Sequence, residues 1–553
     1  MALPCKPLSA AIALLLPFIA APAVGAPSVP DASNLPAREL RQMQDDWHRG
    51  RIERETESLK ERRGVESTPE PVPAEPPAAG FQFDLTAIGH TPSLVLTDEE
   101  FDAAVSPWIG RRIRVEEIAD ILNAVNALYR EKGYVVCQAV VKPQRISGGR
   151  LEVTLIEGRT ESVTVAGNDS TRESFITRAF DLKLGEVANY RVMIEDLVRF
   201  NMTNDVALRV DIGAGEASES TAYRIIATEP ARWTGSVFAD TTGSESTGRP
   251  RIGATIANRS LFGVRDSLTL LGLASEGSKS GMLGYSIPLT SFGTRLSGTV
   301  SYGKIEVIDG PSEALDVTGE SFMASLRLEH PVWVTSRSKT TIWGETSHQN
   351  SNSDMFGGVR VAETAINAYT AGTDAFWFGE RSVISGTAAV TRHEVDEKIF
   401  GKQTGYQLFT GNLAARRSFA NGLALSWSGR WQSRLGGDEL NSADYFYLGH
   451  SSGVRGYDND ILSAPSGFVT SVEASYPIAG DSISLYAFFD AGRLTGERVS
   501  EERSLYSTGL GLSWTPFEGA SVNGSVSFPL KRELADDADV SRARADLSIV
   551  MTW

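Results

Sequence analysis

From Trp233 to Trp553 the chain shows no helical periodicity, and that constrains its fold more than any other feature. Segments such as RLSGTVSYGKIEV (295–307), FMASLRLEH (322–330), LALSWSGRWQS (423–433), SISLYAFFD (482–490) and GLGLSWTPF (509–517) alternate between two parities. One parity is apolar or aromatic; the other is largely Ser, Thr, Gly or charged. Clusters of Gly, Asn, Asp and Ser separate the segments. A soluble β-sandwich or propeller also alternates, but it calls for bulky inward positions and a shorter domain or a blade repeat. Apolar outside and polar inside is the pattern of a transmembrane β-barrel with a water-filled lumen. Backbone groups in the bilayer must all pair, so the sheet must close on itself. At about 9–11 residues per span, roughly 20 with the connection, the length predicts about 16 antiparallel strands. In the last segment, ADLSIVMTW, the residues Leu547, Ile549, Met551 and Trp553 share one face, as expected of a barrel-closing strand ending in an interface aromatic.

The N-terminal end points to export. Lys6 precedes the apolar run Ala10–Ala20, and Ala21-Pro22-Ala23 fits an A-x-A cleavage site, so residues 1–23 read as a signal peptide. Pro27 disfavours a cut after Ala26. Cys5 falls in that signal, which leaves Cys137 without an internal disulfide partner. No other apolar run approaches the roughly 18 residues of a membrane helix. A net charge of −16 excludes a non-specific nucleic-acid binder.

Residues 37–63 (ARELRQMQDDWHRGRIERETESLKERR) are helix-forming, and 15 of the 27 are charged. Leu40, Met43 and Trp47 give a narrow apolar stripe, and Gly50 weakens the middle. Such a helix is either solvated at the surface or seated in a polar, water-filled space. A linker with five prolines follows at 64–80. Residues 81–158 then read as strand, helix, helix, strand, strand. Their main helix places Ile118, Ile121, Leu122, Val125, Leu128 and Tyr129 on one face and stops at Gly133. YVVCQAVV and GRLEVTLIEG are expected strands joined by a Gly148-Gly149 turn. The plan repeats in degenerate form over 159–230, giving two small α+β modules in tandem before a barrel at 231–553.

The stretch GHSSGVRGYDND, Gly449–Asp460, holds two overlapping motifs. Gly449–Gly453 fits G-x-S-x-G, but a nucleophile elbow needs a helix after it, and VRGYDNDILSAPSG reads as loop. Asp458–Asp460 opens like a calcium loop yet lacks its glycine and closing Glu. The six histidines show no ligand spacing, and no metal site is expected. Val454-Arg455-Gly456-Tyr457 gains weight from SISLYAFFDAGRL downstream. On the barrel parity Asp490 faces the lumen, where a carboxylate needs water or a partner. Arg455, on a long loop, offers one.

SSGVRGYDNDIL followed by YAFFDAGR resembles the VRG[YF] and F-x-D-x-G motifs of the outer-membrane assembly and secretion superfamily. Within it, GYVVCQAVVKPQRISGGRLEVTLIEGRTESVTVAGN, NRSLFGVRDSLTL and YSIPLTSFGTRLSGTVSY resemble two-partner secretion transporters (TpsB, of the FhaC and ShlB kind). The order of parts matches over nearly the whole chain. The resemblance implies two periplasmic POTRA domains, a 16-stranded transmembrane barrel and residues 37–63 as a plug helix in the pore. It implies that Val454, Arg455, Gly456 and Tyr457 form the tip of the sixth extracellular loop, tucked into the lumen. Phe488, Asp490 and Gly492 would form the barrel-wall motif, with Arg455–Asp490 as a latch pair. The implied partners are a secreted exoprotein with a β-helical N-terminal secretion domain, outer-membrane lipid and lipopolysaccharide, periplasmic chaperones, and the assembly machinery that inserts the barrel itself. It implies no catalysis and no cofactor. Barrel-insertion factors of the BamA or TamA kind carry more POTRA modules and no plug helix. No G-x-x-x-x-G-K-[ST] occurs, so the energy for transport is expected from the cargo.

Overall fold

The computed structural model describes residues 32–62, 82–310, 312–449, 453–459, 461–480, 482–496, 503–534 and 540–553. The expected signal peptide (1–23) and Pro-rich linker (64–80) lie outside the described residues.

Sixteen strands form one closed barrel in which neighbours in sequence are neighbours in space. It opens with Trp233–Asp240 and ends with Arg544–Thr552. These two close the sheet through the antiparallel register Ser236↔Thr552 to Asp240↔Ser548. Strand length departs from the expected 9–11 residues. Thr318–Thr335, Ser338–Met355, Val359–Phe378, Ser382–Glu397 and Lys402–Ser418 have 16 to 20 residues each. Only the lipid-crossing part must be apolar outside. On Thr318–Thr335, Phe322, Leu326, Leu328 and Val332 are exposed on the outer face, while on Ser338–Met355 that face carries Ile342 together with His348 and Asn350, the latter paired across to Phe322. On the last strand Leu547, Ile549 and Met551 are exposed, and Arg544 and Asp546 are buried toward the lumen.

Before the barrel stand two α+β modules. The first has a three-stranded sheet ordered Ala87–His90, Arg150–Ile156, Gln138–Val140, and a separate pair Gln82–Leu85 with Arg111–Arg114. The helix Glu117–Lys132 packs Ile118, Ile121, Val125 and Tyr129 against Leu151 and Val153. Gly133 ends it in the left-handed region, at φ +87°, where a side chain would be strained. This cap corrects one expectation: of YVVCQAVV only Gln138–Val140 is strand. Tyr134–Cys137 is instead a turn, closed by the Cys137 N–H on the Tyr134 carbonyl at 3.1 Å.

The second module orders its strands Arg159–Ala166, Ser220–Thr228, Ala207–Ala214, beneath the helix Tyr190–Thr203. The modules meet end to end: Tyr190 N–H donates to the Gly133 carbonyl at 2.9 Å, and Asn189 Nδ2 to that of Lys132 at 2.9 Å.

The charged helix runs Leu35–Arg62 without a break at Gly50, and it threads the barrel. Its 28 residues span about 42 Å. Leu40 and Met43 pack on Met282, and Leu59 packs among Met202, Phe376 and Phe378. Leu35 packs among Ile305, Val307 and Val317, and much of the remaining surface faces polar wall, which is how so weak a stripe suffices.

Candidate functional site

Two features fill the lumen: the helix and a folded-back loop. Numbered from the first strand, residues 438–465 form the sixth connection at the end away from the modules. A two-stranded ribbon, Phe446–Tyr447 with Ser463–Ala464, stiffens its base. Gly456, at φ +94°, turns the tip. Val454 and Tyr457 are buried, Val454 among Leu448, Leu494 and Leu505. The Tyr457 hydroxyl lies 2.9 Å from the carbonyls of both Tyr506 and Lys531.

Between them Arg455 meets the strand Ile483–Thr495. Its Nε donates to Asp490 Oδ2 at 2.7 Å and its Nη2 to Asp490 Oδ1 at 2.8 Å. The Arg455 backbone N–H adds a third bond to Oδ2 at 3.1 Å. Asp490 is fully buried and also accepts from Ser471 Oγ at 2.7 Å. Arg455 further donates to Ser471 Oγ at 3.0 Å and Glu473 Oε2 at 3.3 Å. The guanidinium carbon sits 3.4 Å from the centroid of the Phe488 ring, a cation–π stack. Gly492 has a steric reason: a Cβ there would come within 2.9 Å of Leu448 Cδ2 and Val454 Cγ2. The lumen motif and the wall motif therefore form one packed unit. Ser471 and Glu473, on the strand Ser466–Ala479, belong to it and went unremarked in the sequence, where nothing but parity marks them.

The helix touches both loop and wall. Arg41 forms an ion pair with Asp444 of the loop and donates to Gln349 Oε1 at 2.6 Å. Arg38 stacks over the Tyr447 ring at 4.9 Å. Lower down, Gln44 donates to Ser301 Oγ at 2.7 Å, Arg51 reaches Glu329 at 3.4 Å, and Lys339 pairs with Glu55. A cavity of about 1230 Å³ remains between the helix and the first strands, bordered by Thr255, Ser297, Arg251 and Arg259.

Sequence reasoning also missed the joint between barrel and second module. Arg265, in the first turn at the module end, is buried with Nη1 3.1 Å from Ser170 Oγ, and Asn204 Nδ2 lies 3.3 Å from the Ser291 carbonyl in the next turn. His450, Ser451 and Asp460 lie outside the described residues, as do any contacts of a G-x-S-x-G nucleophile there. Among the described residues no helix follows that motif, and no cluster of three or more His, Cys, Asp or Glu could hold a metal. No described helix is long and apolar enough to cross a membrane, which says nothing of the barrel.

A family model described as haemolysin secretion/activation protein ShlB/FhaC/HecB matches residues 221–514, and one described as POTRA domain, ShlB-type, matches residues 83–158. The heme/hemopexin transporter protein HuxB of Haemophilus influenzae is 24% identical over 478 residues, which cover 80% of this chain and 82% of the relative. The outer membrane transporter CdiB of Dickeya dadantii is 23% identical over 500 residues, 83% of this chain and 86% of the relative. The solved structure of CdiB from Escherichia coli superposes with a TM-score of 0.69 at 20% identity, covering 96% of this chain and all of that one.

Proposed function

The chain belongs to the haemolysin secretion/activation protein family of ShlB, FhaC and HecB, and on that premise we propose that it takes one unfolded exoprotein from the periplasm and passes it to the cell surface without ATP. It is a two-partner secretion transporter of the outer membrane, with its POTRA modules in the periplasm. The observation that carries the proposal is a polar-walled, 16-stranded lumen occupied by a helix and one loop, with two modules at its mouth.

The exoprotein, an adhesin or haemolysin with a β-helical N-terminal segment, adds a strand to an edge of a module sheet through main-chain hydrogen bonds. In the second module the edges are Arg159–Ala166 and Ala207–Ala214. This module adjoins the barrel and hands the chain on. The helix leaves, the lumen conducts the extended chain, and folding outside makes passage irreversible. Arg455 and Asp490 act as a structural latch that sets the loop's position and take part in no bond-making. Lipid and lipopolysaccharide surround the barrel, periplasmic chaperones hold the exoprotein before it docks, and the assembly machinery inserts the barrel.

The test compares proteins of culture medium and outer membrane with and without this chain. Loss of one large exoprotein from medium and surface, with other barrels constant, supports the reading. A joint fall of many barrels makes it an insertion factor, and no change makes it a passive channel.

A further inference from the structure

One buried cation outside the motifs has no place in the latch. Arg544 begins the last barrel strand with its side chain only 4% exposed. Its Nη1 lies 2.7 Å from Glu245 Oε1, 3.1 Å from Asp458 Oδ1 and 3.2 Å from the Tyr457 carbonyl oxygen. Its Nε lies 3.4 Å from Asp546 Oδ1. Glu245 sits in the first loop at the outer end, whereas Tyr457 and Asp458 belong to the lumen loop. Asn459, next along, donates its N–H to Glu245 Oε2 at 3.3 Å and its Nδ2 to the Thr242 carbonyl at 3.4 Å. One guanidinium thus joins the last strand, the first loop and the lumen loop.

Its position matters because the ladder is shortest there. The first and last strands pair over five residues, extended at the lower end by reciprocal Gly235–Trp553 bonds, whereas each pairs over eight with its other neighbour. Beyond Asp240↔Ser548 one more backbone bond forms, from Thr241 N–H to the Leu547 carbonyl at 3.0 Å. Above it the ladder gives way to side chains. Arg544 reaches Glu245, and Arg249 Nη2 lies 3.3 Å from both Asp546 Oδ1 and the Ala545 carbonyl. Ion pairs do there what main-chain bonds do in the rest of the barrel, and one of them is shared with the loop. A buried guanidinium stripped of one partner leaves the others miscompensated, so the two ends of this contact depend on each other.

We infer that Arg544 is a positioning residue that seats the tip of the lumen loop and closes the upper first-to-last-strand seam with the same side chain, so that unseating the loop loosens the seam. Its use in export rests on the transporter reading, but its geometry does not, and the experiment needs no cargo. The full-length protein in detergent is read two ways: the rate of tryptic cleavage after Arg455, which reports the loop, and amide hydrogen exchange of peptides covering 236–240 and 548–552, which reports the seam. Arg544→Gln is expected to raise both rates at least fivefold, and Arg544→Lys, which keeps a cation beside Glu245, to recover part of each. Arg455→Ala, which removes the loop's bonds to the wall at Asp490 and Ser471 but none to the seam, is read by seam exchange alone, since it lacks the tryptic site, and is expected to speed that exchange too. If Arg544→Gln fails to give a heat-modifiable folded barrel, Glu245→Gln is read in its place with the same expectation. A variant that raises one rate and leaves the other unchanged overturns the coupling, as does one that changes neither. Failure of the transporter reading would leave both rates as expected here.

Discussion

Arg265 of the barrel holds Asp205 of the second module by two parallel hydrogen bonds, Nε to Oδ1 at 2.7 Å and Nη2 to Oδ2 at 2.6 Å. The arginine side chain is fully buried, and Asp205 is the nearer of its two carboxylates, Glu229 lying 4.0 Å away. Asp205→Asn is expected to cost about 3 kcal/mol of docking energy, because it takes the bidentate partner from a buried cation and leaves it only Glu229 at 4.0 Å. Faster proteolysis between module and barrel would show this; an unchanged digestion pattern would refute it. Burial pushes the Asp205 carboxyl up, but the hydrogen bonds and charge of Arg265 outweigh it, and its pKa lies below the ordinary value. A depressed carboxyl stabilises above its unfolded pKa and loses that stabilisation as pH falls through its lowered folded value. The joint should therefore hold at neutral pH and weaken only below about pH 4.

The latch should be stronger than a half-wet ion pair, worth about 1 kcal/mol. Asp490 has no exposure, and its removal leaves Arg455 facing Phe488 and Ser471 without its main partner. Asp490→Asn is expected to cost about 3 kcal/mol of loop seating and to speed tryptic cleavage after Arg455. Gly492→Ala keeps every charge but pushes on Val454 and Leu448, and it should unseat the loop more mildly. Secretion and protease protection both unchanged in Asp490→Asn would end the latch idea.

The helix is held by charges along its length and by apolar contacts at its ends, and these should separate experimentally. Raising salt screens exposed pairs but not buried apolar contact. Leu59→Asp places a carboxylate among Met202, Phe376 and Phe378. In planar bilayers it is expected to multiply channel openings severalfold at any ionic strength. Glu55→Gln, which takes the carboxylate from the largely buried Lys339, should do so with only a weak salt dependence. Openings insensitive to both variants would mean that the helix does not block the pore.

Cys137 is buried in the first module, and burial pushes its thiol up to about 12. A maleimide at pH 7 should therefore leave it unmodified until the module unfolds, which makes it a reporter of that unit alone. Rapid labelling of the native protein would contradict the packing of the helix Glu117–Lys132 over it.

The barrel was legible because two-residue alternation over 320 residues leaves few folds, and a closed sheet in lipid leaves one. Asp490 could be assigned to the lumen by parity alone. The long middle strands were not foreseeable from bilayer thickness, because their outer faces are not apolar throughout; His348 and Asn350 look like loop residues in the sequence. Arg265 and Arg544 were invisible for another reason. Each is a single cation among many, and its importance comes from burial against partners 60 and 299 positions away, Asp205 and Glu245. The turn at Tyr134–Cys137 was hidden by three β-formers in a row, and the left-handed cap at Gly133 overrode their propensity.

At the lower end of the seam Gly235 and Trp553 exchange backbone bonds of 3.0 Å in both directions, and the indole lies across the glycine. A Cβ at Gly235 would overlap the ring. Gly235→Val should therefore displace Trp553 and lower the temperature at which the folded band is lost on a gel. Trp553→Ala alone removes an interface anchor and should lower it too. In the double variant the valine meets no ring, so the combined loss should be smaller than the sum of the two single losses. Strictly additive losses would mean that the two residues act separately, and that the seam is held elsewhere along the five pairs.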